Sequence, residues 1–574
     1  MPRKRTGKTH VGEVRETRPN GDIYVYERIT GYDPTTQRTR TIKLNLKGKI
    51  MANTQEMVPT RPKRPKGQAG IAPGTVAVRS HTGLTDLLEW AGQASGIDPD
   101  VYASFHAGEA AKILSIARYW VSTDGNTLPR IESWQNMHNL PYPYGISEDV
   151  YSDLFKSVGC NEDGIQRYFM CRASMLDKNP VIALDSTTIS TYSENQTEAR
   201  QGFNKDHDGL NTIKLVTLYS VKDREPIAFT KQPGNIPDVI SVENALAQLK
   251  CLDIDSPLTV TDAGYRSEHN MTQYARKNRK FLTLMDAGSI WIRKEIDKLI
   301  EKLGQMSAVC PFDNTISGAA STVMHTFQWQ RQRARGDKTA GELETFTRRL
   351  YVYVFQSPER KVQREIAFKK DLLELKRQVE KGQTEFTKAA DEKIVKYLVS
   401  TRLGRGGQLK VSFNDESIQA AMKYFGYFAL VSNQPLELFT SLEYYRLREK
   451  IEELFADQKG VFDSHRPRVW YPDNLRGRQF VQFVGLGYYC FIAKKIKEVQ
   501  QQLGKNKETK SEKRLKLERQ LEKWIEDHSF AQIMDWFDCI ETTAVNTETV
   551  KVRWSTETIE RDRLFLELLG VSKK

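Results

Sequence analysis

Ser441–Gly460 (SLEYYRLREKIEELFADQKG) constrains this chain more than any other stretch, because one helical period there defines two different faces. Apolar Tyr444, Leu447, Ile451, Leu454 and Phe455 recur at three- and four-residue steps, which predicts one helix with a buried stripe. Beside that stripe stand Tyr445, Arg448, Glu452 and Lys459, at offsets of 0, 3, 7 and 14. At about 100° per residue these four share roughly 60° of arc. One helix edge thus carries a phenol, a guanidinium, a carboxylate and an ammonium. Such an edge can present a carboxylate to a metal while three donors reach phosphate oxygens. It also reads as a solvated face with an Arg448–Glu452 pair one turn apart.

Charge indicates the kind of partner. The chain has 86 Lys and Arg against 73 Asp and Glu, a net charge of +13, which suits a polyanion. Residues 1–80 hold 17 of the basic and 6 of the acidic residues, so +11 of that charge lies there. Within them, alternating Asp22–Ile29 and Arg40–Leu46 flank the turn-rich Thr30–Thr39 and predict a small hairpin. The basic linker Pro59–Gly67 (PTRPKRPKG) follows. This region reads as a grip on DNA phosphates without sequence readout, or as a solubilising tail. The six Cys include no C-x-x-C and the nine His show no metal-ligand spacing, so neither a disulfide framework nor a zinc knuckle is expected. No run of 18 apolar residues occurs, and the basic N-terminus is followed by no apolar segment. A cytoplasmic protein with no membrane partner is expected.

Residues 81–178 read as short helices, including Thr85–Gln93 and Glu109–Val121, broken by Pro99, Pro129, Pro141 and Pro143. They suit either a DNA-binding module or a structural cap. From Pro180 the pattern changes. Val181–Leu184 is an apolar run closed by Asp185, and Ile213–Ser220 and Pro226–Thr230 read as the next strands. A helix over Pro237–Leu249 precedes Ser256–Thr261, which delivers Asp262. Helix Ser267–Asn278 and strand Phe281–Met285 complete the run. A lone Asp closing a strand is most often a cap for the next turn. Between Asp262 and Glu452 lie 189 residues, so an insertion is expected over 287–435. It holds strand-like Thr322–Gln330 and Leu350–Gln356, charged helices Arg360–Lys381 and Lys388–Leu398, and strands near Leu409–Phe413 and Tyr427–Asn433. After the Glu452 helix, His465–Gly477 reads as a basic loop with Arg466 and Arg476, and Gln479–Ile492 as an apolar helix. Lys494–His528 reads as charged helix, a solvated pair or an interaction arm, and the charged helical region 501–574 closes with a strand over Val550–Trp554 and a helix over Thr558–Leu569.

The spacing Tyr445-(2)-Arg448-(3)-Glu452-(6)-Lys459 resembles the third acidic motif of bacterial insertion-sequence transposases of the Asp-Asp-Glu type. The resemblance covers about 180–290 and 435–490 well. It implies an α/β fold: a ribonuclease-H-like mixed-sheet catalytic core in two parts, 179–286 and 436–500, interrupted by a large α+β insertion. An N-terminal basic hairpin (1–80) and a helical module (81–178) precede it. In such a sheet the first and fourth strands are adjacent, so Asp185 and Asp262 stand side by side and Glu452 joins them as catalytic metal ligands. Segments Gly202–Asp206 and Gly234-Asn235 with Asp238 stand where the family has related segments. The family implies two Mg²⁺ ions, with Mn²⁺ as a substitute, since three carboxylates can hold two ions roughly 3.5–4 Å apart. It also implies double-stranded DNA as partner (element ends and target), a homodimer on DNA, and a bacterial, nucleoid-associated setting. Tyr445, Arg448, Lys459, Arg466 and Arg476 are then expected on DNA. Trp329 reads either as a core tryptophan on a sheet or, partly exposed and followed by Arg331, Arg333 and Arg335, as a face for a flipped base, with Trp291 a weaker rival for that role. The activity implied is cleavage of the element's ends and their transfer to target DNA, by a cut-and-paste route. A nuclease of the same fold without strand transfer and a transposase-derived DNA-binding protein are the alternatives.

Overall fold

The computed structural model describes residues 9–33, 38–53, 56–59, 77–123, 127–202, 204, 208–236, 238–254, 256–261, 268–285, 287–330, 342–383, 385–402, 409–448, 468–505, 510–546, 551–556 and 558–571. The chain divides into two compact units, Met1–Thr75 and Val76–Lys574.

In the first unit the basic segment forms more than the expected hairpin. Strands β1 (His10–Thr17), β2 (Ile23–Asp33), β3 (Arg38–Ile50) and β4 (Met57–Pro59) make an antiparallel meander in chain order. The expected pair corresponds to β2 and β3, and β1 and β4 add a strand on each side. A two-stranded ribbon is marginal in water, so the added strands supply pairing that the central two lack. The polar sequence of β1 (HVGEVRET) hid it from pattern reading. Gly48 is required here, because a Cβ would stand 2.5 Å from the Val58 carbonyl oxygen across the β3–β4 pair.

The second unit begins with β5 (Ala77–His81) and the helices α1 (Thr82–Ala94), α2 (Ile97–Ser104), α3 (Ala107–Ser122), α4 (Ile131–Trp134), α5 (Glu148–Cys160) and α6 (Glu162–Ser174). The catalytic half of the prediction follows: β6 (Val181–Thr191), β7 (Asn211–Ser220), β8 (Glu225–Pro233), α7 (Asp238–Cys251), β9 (Leu258–Thr261), α8 (Glu268–Arg276) and β10 (Lys280–Met285). Their spatial order is β8-β7-β6-β9-β10. β6 is antiparallel to β7 and parallel to β9, and β9 is parallel to β10. All eleven residues of β6 are buried, as expected of a strand covered on both faces.

Part of the stretch expected as an insertion continues this sheet. After α9 (Ile290–Leu303), strands β11 (Val309–Cys310), β12 (Asp313–Gln330) and β13 (Leu343–Gln356) prolong it past β10, joined through a later strand, β16 (Tyr427–Ser432). Helices α10 (Pro358–Glu380) and α11 (Lys388–Tyr397), hairpin β14 (Leu398–Arg402) and β15 (Leu409–Phe413), and α12 (Asp415–Met422) form a satellite. Its own small core is Leu375, Leu398 and Val411. Strand β16 (Tyr427–Ser432) then returns between β13 and β10. From there the chain enters α13, residues 438–448.

Helix α14 (Pro472–Gln502) runs for 31 residues, joining the helix expected over Gln479–Ile492 to the charged helix expected from Lys494 and taking in the end of the basic loop expected to Gly477. Pro472 at its first turn has no N–H to lose and a φ already helical, so it starts the helix rather than extending the loop. α14 crosses α5 backbone to backbone. A Cβ on Gly477 would stand 1.9 Å from the Phe155 oxygen, and one on Gly159 1.8 Å from the Asp473 oxygen. Buried charges join the helical block to its neighbours. Arg118 donates to Asp98 at 2.6 Å and to the Tyr488 hydroxyl at 3.1 Å. Arg172 on α6 reaches Asp100 at 3.0 Å and Glu225, at the start of β8, at 2.5 Å.

The charged stretch expected as a solvated pair or arm packs against its neighbours, and the expected C-terminal strand and closing helix are both present. Helices α15 (Glu512–Asp527), α16 (Phe530–Asp538) and α17 (Glu560–Leu569) bury Leu521, Trp524, Phe537 and Phe565. Strands β17 (Glu541–Asn546) and β18 (Lys551–Ser555) form a small sheet with β5, so the two ends of this unit are paired. No helix among the described residues is long and apolar enough to cross a membrane.

Candidate active site

Asp185 is the fifth residue of β6, with the rest of the sheet on either side of its strand. It is 6 % exposed, and the N–H of Ser186 donates to its Oδ1 at 2.7 Å, which fixes the carboxylate's orientation. On the neighbouring parallel strand, Thr261 is in register with Leu184. Asp185 and Asp262 are therefore the next residues after one paired position of two adjacent strands. Asp262 itself lies outside the described residues, as do Glu452, Lys459 and Arg466.

Helix α13 approaches from the other direction in sequence. Glu437 starts it, accepting from the Thr440 N–H at 2.7 Å and hydroxyl at 2.9 Å. Tyr353 on β13 holds the segment before it, accepting from the Leu436 N–H at 2.7 Å. Arg446 pairs with Asp313 at the start of β12. Leu442, Tyr445 and Arg448 form the inward face, each 3 % exposed or less. This corrects the expected orientation. Among the described residues, Tyr444 and Leu447 of the apolar stripe are only partly covered, and Tyr445 and Arg448 of the polar edge are buried. The reason is electrostatic. The Arg448 guanidinium lies 3.9 Å from Asp185 Oδ2 and 5.0 Å from the centre of the Tyr445 ring, so a carboxylate and a π-face meet the buried cation. Arg448 thus faces Asp185, where a phosphate-holding side chain is expected from the sequence. Glu452 follows four residues later in the chain.

The two glycine segments noted in the sequence meet one another. A Cβ on Gly202 would stand 2.2 Å from the Gly234 oxygen, and one on Gly234 2.1 Å from the Thr212 oxygen on β7. Lys214, on the same strand, is 5 % exposed and donates to the Ile236 carbonyl. Both glycines are therefore explained by close backbone packing beside the sheet.

Two other expectations are corrected. Trp329 is 7 % exposed rather than partly open. Its ring lies 5.3 Å from that of His269 and 4.8 Å from the Arg276 guanidinium, both on α8. Strand β12 runs along that helix, and a large ring over a cation and an imidazole is covered by them. Arg476 sits in the first turns of α14, not on a loop. It donates to the Gly159 carbonyl at 3.0 Å and pairs with Glu162 at 2.5 Å, which ties α14 to α5 and α6.

Sequence reading missed two features. Trp470 and Tyr471 are 67 % and 62 % exposed, immediately after Arg468. Their backbone is held to the segment after β6: Ser193 donates to the Trp470 carbonyl at 2.9 Å and Gln196 to that of Val469 at 3.3 Å. The signal for them is the adjacent aromatic pair in VWYP, directly after the basic HRPR run. The second feature is a group of two histidines and an aspartate, His81, His138 and Asp538. No spacing rule could find it, because its members come from three distant segments.

The transposase DDE domain family matches residues 177–478, more than half of the chain. The chain belongs to that family. It is accordingly a transposase, of the class that cleaves and transfers DNA, and the matched span runs from just before β6 into the start of α14. Among solved structures, a piggyBac transposase synaptic complex with hairpin DNA aligns at 8 % identity, covering 88 % of each chain with a TM-score of 0.32. No curated protein matches.

Proposed function

We propose that this transposase cuts the ends of its own element and joins them to target DNA, with Asp185, Asp262 and Glu452 as the acidic triad of a ribonuclease-H-like core. The observation that carries this reading is the 3.9 Å approach of Arg448, on the helix that leads to Glu452, to Asp185 in the middle of the sheet. The β6–β9 register adds support, since Asp262 directly follows the residue paired with Leu184.

Carboxylate oxygens are hard donors, and a buried, oriented carboxylate such as Asp185 fits a Mg²⁺ or Mn²⁺ ligand. Two such ions, when bound, polarise the scissile phosphate and lower the pKa of the attacking water or 3′-hydroxyl. The chain's own residues do the positioning. Ser186 N–H and Arg448 hold Asp185 in one orientation, and Tyr445 covers Arg448 so that the guanidinium keeps its place. Lys459 and Arg466 meet DNA phosphates as charge-assisted donors, and the basic residues of the first unit add sequence-independent affinity. Trp470 and Tyr471 offer the exposed faces on which bases stack. A cut-and-paste route by a homodimer, in a bacterial cell, completes the reading.

The test uses element-end DNA with Mg²⁺. Asp185→Asn, Asp262→Asn and Glu452→Gln should each abolish cleavage and strand transfer while leaving end binding within about twofold, a change worth under half a kcal/mol. Cleavage by any one of the three at the unsubstituted rate removes that residue from the triad. Cleavage without joining by the unsubstituted protein supports the nuclease reading instead.

A further inference from the structure

A second cluster with metal-binding chemistry lies at the junction of the two ends of the larger unit. His81 closes β5, His138 follows α4, and Asp538 ends α16. One ligand atom from each lies within 4.8 Å of the others. For a tetrahedral ion with bonds of about 2.1 Å, neighbouring ligand atoms stand about 3.4 Å apart, so the group needs only small side-chain adjustments to close.

The hydrogen bonds around His138 orient its ring for this purpose. Its Nδ1 is 2.7 Å from the Trp134 carbonyl, which can only accept, so Nδ1 carries the proton. Nε2 is then the ring atom facing Asp538 Oδ1, at 2.6 Å. Trp134 stacks on the same ring at 3.7 Å and 10°, which fixes its plane. A backbone carbonyl that holds the proton on one imidazole nitrogen, leaving the other to ligate, is how metal-binding histidines are commonly oriented. His138 is 4 % exposed, so a substantial part of this arrangement is already desolvated.

His81 supplies the second imidazole. Its Nδ1 is 3.2 Å from the same Asp538 Oδ1, and its Nε2 is 3.5 Å from Glu541 Oε1. Glu541 is directly opposite His81 in the β5–β17 pairing, which puts a second carboxylate beside the cluster. Glu541 is also paired with Arg79.

We propose that His81, His138 and Asp538 bind one divalent transition-metal ion of the Zn²⁺ class, with a water as fourth ligand and Glu541, on the other ring nitrogen of His81, orienting that imidazole. The donor set of two imidazoles and a carboxylate suits Zn²⁺ rather than Mg²⁺. This ion is structural. It ties β5 and the turn after α4 to the C-terminal α16–β17 corner, and it is independent of the acidic triad.

The experiment uses full-length, tag-free protein carrying Asp185→Asn, dialysed against a chelator and then held in excess Mg²⁺ so that triad carboxylates do not contribute. Co²⁺ titration should give the visible band of a tetrahedral nitrogen–oxygen site at one equivalent per chain, displaced by one equivalent of Zn²⁺. The band should be lost in His138→Gln and Asp538→Asn. The protein without these two substitutions should melt at higher temperature with Zn²⁺ than with chelator. Absence of the band and of any Zn²⁺-dependent melting shift in that protein overturns the proposal, whatever the two variants do. A band that persists unchanged in both variants overturns it as well, by placing the metal elsewhere.

Discussion

Replacing Arg448 by Met keeps most of the side-chain volume and removes the charge that faces Asp185. Both partners are nearly solvent-free, with side-chain exposures of 2 % and 9 %, so water screens the pair little. At 3.9 Å and an effective dielectric near 20, the attraction is about 4 kcal/mol. Removing one member of a buried pair strands the other, at a usual cost of about 3–5 kcal/mol. In Asp185→Asn the stranded charge is absent, and the same Arg448→Met change should cost only about 1 kcal/mol, since a buried cation with one fewer partner is then removed. The double-mutant cycle should therefore give a coupling of about 2–4 kcal/mol. Urea unfolding followed by tryptophan fluorescence suits the measurement, because all nine tryptophans lie in the larger unit. A chelator keeps divalent ions from neutralising Asp185 during it. A coupling below about 0.5 kcal/mol, the range of independent sites, would refute the electrostatic account of why α13 turns its polar edge inward.

Three further outcomes are expected. Gly477→Ala should destabilise by about 1–3 kcal/mol or more in the same assay, because its methyl would meet the Phe155 carbonyl; an unchanged midpoint would mean that α5 and α14 do not cross this closely. Asp313 is held below the usual carboxylate range by its hydrogen bond from Thr315 and then by Arg446. Its folded pKa is thus the lower one, so its contribution is complete above the ordinary unfolded pKa of about 4 and is lost as pH falls through the folded value. The stability gap between the unsubstituted protein and Asp313→Asn should accordingly narrow on acidification below about pH 4, and a gap that widens there contradicts the assignment. Deleting residues 1–67 should weaken DNA binding and flatten its salt dependence, as fewer counterions are released; an identical salt slope returns the segment to a solubilising tail.

Elements with a local signature were legible before the structure. The apolar runs ending at Leu184 and Thr261 mark β6 and β9, and the three-and-four spacing around Tyr444 marks α13, because backbone periodicity is written in neighbouring residues. Boundaries were less legible. Pro472 and Arg476 read as loop because charge dominates that stretch, whereas packing of Gly477 on α5 carries the helix through it.

The sequence by itself determined the strand and helix order of the sheet, the glycines of 202 and 234, and the motif spacing that pointed to the family. Only tertiary structure decided which edge of α13 is buried, since its apolar stripe and its polar edge both satisfy one helical period. Arg448 turns inward because Asp185, far away in sequence, neutralises it there. Tertiary structure alone also extended the sheet through β12, β13 and β16, covered Trp329 with α8, and gathered His81, His138 and Asp538. In each case the deciding energy is a contact between segments that no local pattern connects, so it exists only once the chain has closed on itself.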